Sequence, residues 1–298
     1  MSDSINRFFW ILLFTAFSFS GCWKDDGGSG PDGPGVFGQG RGIVSYAGYG
    51  PLSNKPIKIH YYIPSSGNPA DMGILLVFPG TNRNADDYLT PWISLADNKR
   101  MMVFSLEFPA DTYSVEQYIE GGIFSGAALQ PESSWTFSMI EPLFDYIRQQ
   151  TGSRQTQYDI FGHSAGAQFV HRFMTFKPDN RVRRAIAANA GWYTVPDFDI
   201  AYPYGLKDSP ATKEGLTRFF AKKFYLALGT ADTNPDDSNL NKTPGAMAQG
   251  AYRYARGLHY WEAAERAKGG AAFNWEKVPV QGVGHEYKKM IAAAGQLL

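Results

Sequence analysis

The sequence predicts an α/β protein in which a mostly parallel central sheet is flanked by helices, giving three layers. Two continuous apolar runs, Gly73–Gly80 and Met101–Phe108, are typical of strands buried on both faces. They alternate with amphipathic segments such as 134–152, in which apolar residues recur every three or four positions. With 298 residues and 44% hydrophobic composition, the chain can bury the core of one such domain.

The elements follow in order from the same patterns. Two alternating segments, Arg41–Ala47 and Ile57–Pro64, predict an antiparallel hairpin at a sheet edge. In the helix at 134–152, Pro142 predicts a kink. Further strands are predicted at 158–161, 183–190, 223–229 and 273–280, and further helices at 164–176, at 251–268 and after His285. The segment 192–219 has mixed polarity and several breaks, which suggests a lid over a site at the strand ends.

The N-terminus has the pattern of an export signal. Arg7 precedes the apolar run Phe8–Phe19, which is too short to span a bilayer and fits the core of a signal peptide over residues 1–21. Ser20-Gly21-Cys22 resembles the bacterial lipobox, and Cys22 is the only cysteine of the chain. The resemblance implies a lipid anchor on Cys22, and cleavage of an ordinary signal peptide nearby is the alternative.

Residues 22–39 are rich in Gly, Pro and Asp, so we expect a flexible tether there and one folded domain over 40–298. The expected location is the outer membrane or cell surface as a bacterial lipoprotein, and otherwise the periplasm or the medium. Lys and Arg balance Asp and Glu at 28 each, with no basic cluster. We therefore expect no nucleic-acid partner, and membrane contact only through the lipid anchor.

One stretch, "YDIFGHSAGAQFVHRFM", passes from a predicted strand through Gly-His-Ser-Ala-Gly into a predicted helix. In a strand-to-helix turn this tight, side chains at Gly162 and Gly166 would collide, and Ser164 takes a strained backbone conformation with its Oγ projecting outward. Ser164 is therefore the candidate nucleophile.

A serine hydroxyl needs a neutral imidazole to accept its proton. His285 lies in a glycine-punctuated loop just after the last predicted strand, where a side chain can reach the strand ends. His60 lies in a predicted strand, and His171 and His259 lie in predicted helices. His163 lies in the strand-to-helix turn itself, the elbow, at a position that points away from the serine. His285 is the candidate base, with a purely structural histidine as the alternative.

The third member should be a carboxylate that orients the imidazole, and Asp232 follows the predicted strand at 223–229. Asp236 and Asp237 lie further along the loop, where a solvated surface role suits them better. The same loop spaces its acidic residues like the start of a calcium site. However, Asp237 stands where that site needs Gly, and Thr243 stands where it needs Glu, so no metal is expected.

Negative charge that develops on a substrate carbonyl oxygen needs two donors, each worth about 3 to 4 kcal/mol. One candidate is the main-chain N–H of Ala165, at the positive end of the helix that follows Ser164. The other is the main-chain N–H of Thr81, in the loop after the strand 73–80. Alternatively, Pro79-Gly80 is only a turn.

The order Ser164, Asp232, His285, each after a successive strand, resembles the α/β-hydrolase superfamily over residues 40–298. The segments "LGTADTNPD" and "GVGHEY" are similar to the acid and base loops of polyhydroxybutyrate depolymerases, feruloyl esterases and acetylxylan esterases. The resemblance implies hydrolysis of a small or polymeric ester, such as a polyester or an acylated polysaccharide, through an acyl-enzyme and without a cofactor. Those relatives usually have His-Gly where this chain has Pro79-Gly80, and many carry disulfides.

Four aromatic residues are candidates for a wall of the substrate site, with a place in the core as the alternative for each: Trp92, Trp135, Trp192 and Tyr193. Two other functions stay open. The first is a peptidase or thioesterase on the same fold, and the second is a non-catalytic surface lipoprotein that binds a ligand on a hydrolase scaffold.

Overall fold

A computed structural model describes residues 36–298. The predicted signal peptide at 1–21, Cys22 and most of the predicted tether at 22–39 lie outside the described residues. Within 36–298, no helix is long and apolar enough to cross a membrane.

The described part of the chain contains ten strands, nine α-helices and four short 3₁₀ helices. The strands are β1 Gly40–Tyr46, β2 Ile57–Ile63, β3 Gly73–Phe78, β4 Met101–Glu107, β5 Phe124–Ser125, β6 Ala128–Leu129, β7 Tyr158–His163, β8 Val182–Ala188, β9 Lys223–Gly229 and β10 Trp275–Val280. The helices are α1 Ala85–Leu89, α2 Ile93–Lys99, α3 Val115–Ile119, α4 Ile140–Thr151, α5 Ala165–Phe176, α6 Lys213–Phe220, α7 Pro244–Met247, α8 Arg253–Ala267 and α9 Tyr287–Ala294.

Eight strands form one sheet in the order β1-β2-β4-β3-β7-β8-β9-β10, and β5 and β6 form a separate small hairpin. β1 and β2 pair antiparallel at the edge, as the alternating sequence pattern predicts, and β2 also runs antiparallel to β4. Every other neighbouring pair in the large sheet is parallel. The predicted fold class is therefore confirmed.

Both faces of the sheet are covered. Successive side chains of its central strands point to opposite sides, so each strand contributes to two cores. Ile160 belongs to a large core together with Phe169 and Phe173 of α5. Its neighbour Phe161 belongs to a second core on the other face, with Met290 of α9. This burial on both faces explains why the central strands are continuous apolar runs in the sequence.

Several element bounds differ from the sequence prediction by one or two residues, and the start of α4 differs by more. Pro142 lies in the first turn of α4 instead of kinking a longer helix, because a short 3₁₀ turn at Thr136–Met139 comes before α4. A proline costs little in the first turn, where its missing N–H has no helical partner. Packing also begins before Gly40, since the buried ring of Phe37 lies against Tyr61.

Candidate active site

Ser164 lies in a tight turn between β7 and α5, with φ 58° and ψ −116°. This positive φ is strained for a residue with a side chain. Both flanking glycines are required by close packing: a Cβ at Gly162 would lie 2.1 Å from the carbonyl oxygen of Gly166, and a Cβ at Gly166 would lie 1.9 Å from that of Phe78. The turn therefore holds the serine hydroxyl out at the carboxyl end of the sheet.

Three side chains from loops at this end form one hydrogen-bonded chain. His285 Nε2 lies 3.0 Å from Ser164 Oγ, and His285 Nδ1 lies 2.7 Å from Asp232 Oδ2. Because a carboxylate can only accept, Nδ1 carries the proton and Nε2 is left to accept the hydrogen of the serine hydroxyl. A serine in this arrangement can be deprotonated as it attacks a carbonyl carbon.

Asn189, just after β8, joins the two loops that carry the acid and the base. Its Oδ1 accepts the N–H of Gly229 at 2.7 Å, and its Nδ2 donates to the carbonyl oxygen of Gly284 at 2.8 Å. Its φ of 48° lies in the left-handed region, which asparagine tolerates better than most residues. Sequence reasoning missed Asn189, although its position at a strand end was the available signal.

Asp232 also has a cationic neighbour. Arg253 of α8 is buried, and its Nη1 lies 3.5 Å from Asp232 Oδ1. The same guanidinium donates to both carboxylate oxygens of Asp237, at 2.9 and 3.2 Å. Asp237 therefore does not have the solvated surface role expected from the sequence, because Arg253 holds it against the acid loop. The hydrogen bond from Arg253 is the main reason that the pKa of Asp237 is lowered to about 2.

The elbow histidine, His163, faces His285 and not the serine. The two rings lie 4.7 Å apart, and His163 Nδ1 lies 2.8 Å from the hydroxyl of Tyr88. Burial lowers the pKa of His163 well below its ordinary value, and the neighbouring His285 and Arg253 act in the same direction. His163 is therefore a neutral packing partner of the triad histidine.

Ala165 and Thr81, the residues expected to supply the oxyanion donors, line one cavity together with Ser164. The N–H of Ala165 belongs to the first residue of α5 and has no acceptor within the helix. The loop that carries Thr81 runs close to the nucleophile, since a Cβ on Gly80 would lie 3.7 Å from Ser164 Cβ. Within residues 36–298, the N–H of Thr81 has no hydrogen-bond acceptor. Both groups are therefore available to a bound oxygen.

Two cavities meet at Ser164. The larger, of about 360 Å³, is lined by residues that include Thr81, Arg83, Ile119, Trp192 and Tyr204. The smaller, of about 170 Å³, is lined by residues that include His163, His285 and Tyr287. Ser164, Thr81 and Asn239 line both. A substrate bound across the serine can thus place one half in each cavity.

Solved structures with known functions are similar to this chain. Poly(aspartic acid) hydrolase-1 from Sphingomonas sp. KT-1 is 39% identical, with a TM-score of 0.84 over 88% of this chain and 99% of that one. The chain belongs to the α/β-hydrolase superfamily. Scans of the sequence against protein-family models and against curated proteins give no match.

Two further α/β-hydrolases are similar to this chain, one in sequence and structure and the other in fold alone. A poly(3-hydroxybutyrate) depolymerase from Bordetella parapertussis is 32% identical, with a TM-score of 0.82 over 87% of this chain and 89% of that one. An S-formylglutathione hydrolase from Agrobacterium tumefaciens shares the fold, at 16% identity and a TM-score of 0.57 over 86% of this chain and 92% of that one. We conclude that this α/β-hydrolase is a hydrolase of the ester type.

The predicted aromatic wall is only partly present in this α/β-hydrolase. Trp192 lines the larger cavity, with the guanidinium of Arg172 stacked 4.0 Å from its ring. Tyr193, the next residue, points into the core and stacks on Tyr260. Trp135 is also buried, and its indole N–H donates to the carbonyl oxygen of Gln130.

Tyr193 and Trp135 are therefore packing residues, and so is Trp92, which is buried on the other side of the sheet. The segment 192–219, predicted as a lid, contributes Trp192, Pro203 and Tyr204 to the larger cavity. Across residues 36–298, no cluster of three or more His, Cys, Asp or Glu side chains could hold a metal ion.

Proposed function

We propose that this protein is a serine carboxylic ester hydrolase that works through an acyl-enzyme, with Ser164, His285 and Asp232 as its catalytic triad. One observation carries the proposal: the unbroken hydrogen-bonded chain from Oγ through the imidazole to the carboxylate, at 3.0 and 2.7 Å. The strained serine between two packing-restricted glycines is a second support, because strain of this kind is typical of nucleophile turns.

In the first half-reaction, Ser164 Oγ attacks the ester carbonyl while His285 Nε2 takes the hydroxyl proton. Asp232 stabilises the imidazolium that forms, and the N–H groups of Ala165 and Thr81 donate to the oxyanion. When the tetrahedral intermediate collapses, His285 gives its proton to the leaving alcohol, and the acyl group stays on the serine. Water then repeats the sequence and releases the acid.

The expected substrate is a polyester or an acylated polysaccharide. The names of two relatives above 30% identity support a polymer, since one is a poly(aspartic acid) hydrolase and the other a poly(3-hydroxybutyrate) depolymerase. The two cavities that meet at the nucleophile support it as well, because they leave room on both sides of one scissile bond.

A fluorophosphonate probe gives a direct test of the nucleophile. We expect the purified chain to be labelled and Ser164→Ala not to be labelled, at unchanged melting temperature. Labelling that persists in Ser164→Ala would reject the triad.

Activity on p-nitrophenyl butyrate, compared with a matched p-nitroanilide and a thioester, separates an esterase from a peptidase or thioesterase. A panel of poly(3-hydroxybutyrate), feruloyl and acetylated xylan substrates then identifies the polymer. A folded chain with neither labelling nor hydrolysis would instead favour a non-catalytic binding protein.

We also infer that the chain is exported and anchored by lipid on Cys22, on the strength of the apolar run Phe8–Phe19 followed by Ser-Gly-Cys. Growth of an expressing bacterium with an alkyne-tagged palmitate should label the wild-type protein and not Cys22→Ser. Equal labelling of the two would reject the anchor. Recovery of both in the cytoplasmic fraction would reject export.

A further inference from the structure

Arg83 is a buried cation in the wall of the larger cavity. The residue is only 5% exposed. One terminal nitrogen of its side chain, Nη1, donates to the carbonyl oxygen of Phe108 at 2.9 Å. The guanidinium lies 4.0 Å from the ring centre of Tyr118. Its Nε is buried without an acceptor, and no carboxylate of residues 36–298 lies within 4.0 Å of it.

This arrangement is unusual because buried charges are normally paired. The other buried arginines of the domain have more compensation. Arg253 faces Asp232 and Asp237, and Arg256 donates to three carbonyl oxygens. Arg172 donates to Thr194, Ile119 and Gln168. Arg83 has one carbonyl and one aromatic face, and its burial lowers its pKa from the ordinary value.

Two acidic residues line the same cavity, and neither is placed to neutralise Arg83. Glu116 is exposed and accepts a hydrogen bond from the hydroxyl of Ser114. Glu120 is partly buried, which raises its pKa, and Arg172 is the nearby cation that opposes this shift. The positive charge of Arg83 is therefore left facing the space that a substrate would fill.

The cavities also indicate which half of the substrate meets Arg83, on the assumption that the proposed esterase mechanism holds. The leaving oxygen must receive its proton from His285, and His285 lines only the smaller cavity. The alcohol half therefore belongs there. The acyl half belongs in the larger cavity, whose wall contains Arg83.

We propose that Arg83 binds a free carboxylate carried by the acyl half of the substrate, so that the enzyme prefers esters in which the acid component has a second, ionised carboxyl group. A guanidinium suits a carboxylate because its hydrogen bonds to an anion are charge-assisted. Nε is enclosed by the protein and Nη1 is bonded to Phe108, so a carboxylate in the cavity would meet Nη2, which has no acceptor within residues 36–298.

Matched substrates test this preference. The monoethyl esters of succinic, glutaric and adipic acid are compared with the ethyl esters of the corresponding half-amides, which have the same shape without the charge. For at least one chain length we expect wild-type kcat/KM to favour the acid by about ten- to hundred-fold. In Arg83→Met the ratio should fall to within about two-fold, while Arg83→Lys should retain part of the preference.

Arg218→Met removes one exposed positive charge that lines neither cavity and should leave the ratio unchanged, which controls for net charge. If Arg83→Met does not fold, inhibition of the wild type decides instead. Glutarate should then inhibit hydrolysis of a neutral ester at least about ten-fold more strongly than glutaramate.

The proposal is overturned if wild type shows no preference for the acid at any chain length, or if Arg83→Met keeps that preference. Equal inhibition by glutarate and glutaramate would overturn it as well. Fluorophosphonate labelling and turnover of p-nitrophenyl butyrate are measured on the same preparations. If these are absent, the esterase function itself fails; if they are present without a charge preference, only the role of Arg83 fails.

Discussion

Arg253 and Asp232 form a buried ion pair directly behind the candidate base, with Nη1 of Arg253 3.5 Å from Oδ1 of Asp232. His285 uses the other carboxylate oxygen, Oδ2. Because Arg253 also binds Asp237, the acid of the triad is one end of a network of three charges. In this network the cation fixes the Asp232 carboxylate, and Asp237 balances the cation.

Removal of the cation should expose this dependence. In Arg253→Met, Asp232 and Asp237 are left near each other without a counter-charge, so we expect the free energy of unfolding to fall by about 3 kcal/mol at neutral pH. Urea unfolding measures the loss. In the double variant Arg253→Met/Asp237→Asn the repulsion is relieved, and the loss should be smaller than the sum of the single losses. Strict additivity of the two would show that the three groups do not form one network.

A second expectation concerns acid stability. The folded-state pKa of Asp237 is about 2, below the ordinary value of 3.8, so its ionised form is favoured by folding. Its contribution is complete above about pH 5 and is lost as the pH falls towards about 2. Asp237→Asn should therefore be less stable than wild type at about pH 6, and the two should converge near pH 2.

Urea unfolding across this pH range is the measurement, and Asp236→Asn is the matched control. The Asp236 side chain is 89% exposed, against 26% for Asp237, and among residues 36–298 it pairs with the exposed Lys242 alone. Its replacement should change stability by less than about 0.5 kcal/mol at every pH. A constant offset between Asp237→Asn and wild type, independent of pH, would contradict the assignment.

These two aspartates show where sequence reasoning reaches its limit. The alternation of apolar runs and amphipathic segments predicts the fold, and the positions of Ser164, Asp232 and His285 just after three parallel strands, β7, β9 and β10, identify them as neighbours. The position of Asp237 depends on Arg253, which lies sixteen residues further along the chain. No local pattern indicates which acid of a loop a distant arginine will bind.

The aromatic residues show the same limit. Trp192 and Tyr193 are adjacent and have similar propensities, yet one lines the cavity and the other stacks in the core. Asn189 is a further example, since its two hydrogen bonds reach residues 40 and 95 positions away. Periodicity predicts which face of an element is buried, whereas side chains in irregular loops are positioned by partners that are remote in sequence.

The elbow glycines give a steric prediction. A Cβ at Gly166 would lie 1.9 Å from the carbonyl oxygen of Phe78, and because this oxygen belongs to the backbone, no side-chain rotation can relieve the contact. We expect Gly166→Ala to lose more than about 3 kcal/mol of stability or to be recovered only as aggregate. Gly270→Ala, with open space around its Cβ, should behave like wild type. A Gly166→Ala protein with the wild-type melting temperature would show that α5 and β3 are not packed this closely.

The last prediction separates positioning from stability at Asn189. Replacement by glycine keeps the positive φ accessible but removes both hydrogen bonds that join the acid and base loops. Because a displacement of about 1 Å at a catalytic group can cost about a hundred-fold in rate, we expect kcat/KM for a neutral ester to fall about ten- to hundred-fold.

Asn180→Gly provides a matched comparison. Asn180 is a buried asparagine next to the opposite end of β8, and it also makes two hydrogen bonds to the backbone, to Lys177 and Val182. Both variants should lower the melting temperature by a few degrees, because each loses two buried hydrogen bonds. Only Asn189→Gly should slow turnover and fluorophosphonate labelling. Equal losses of activity in the two variants would mean that Asn189 acts through general stability and does not hold His285 against Ser164.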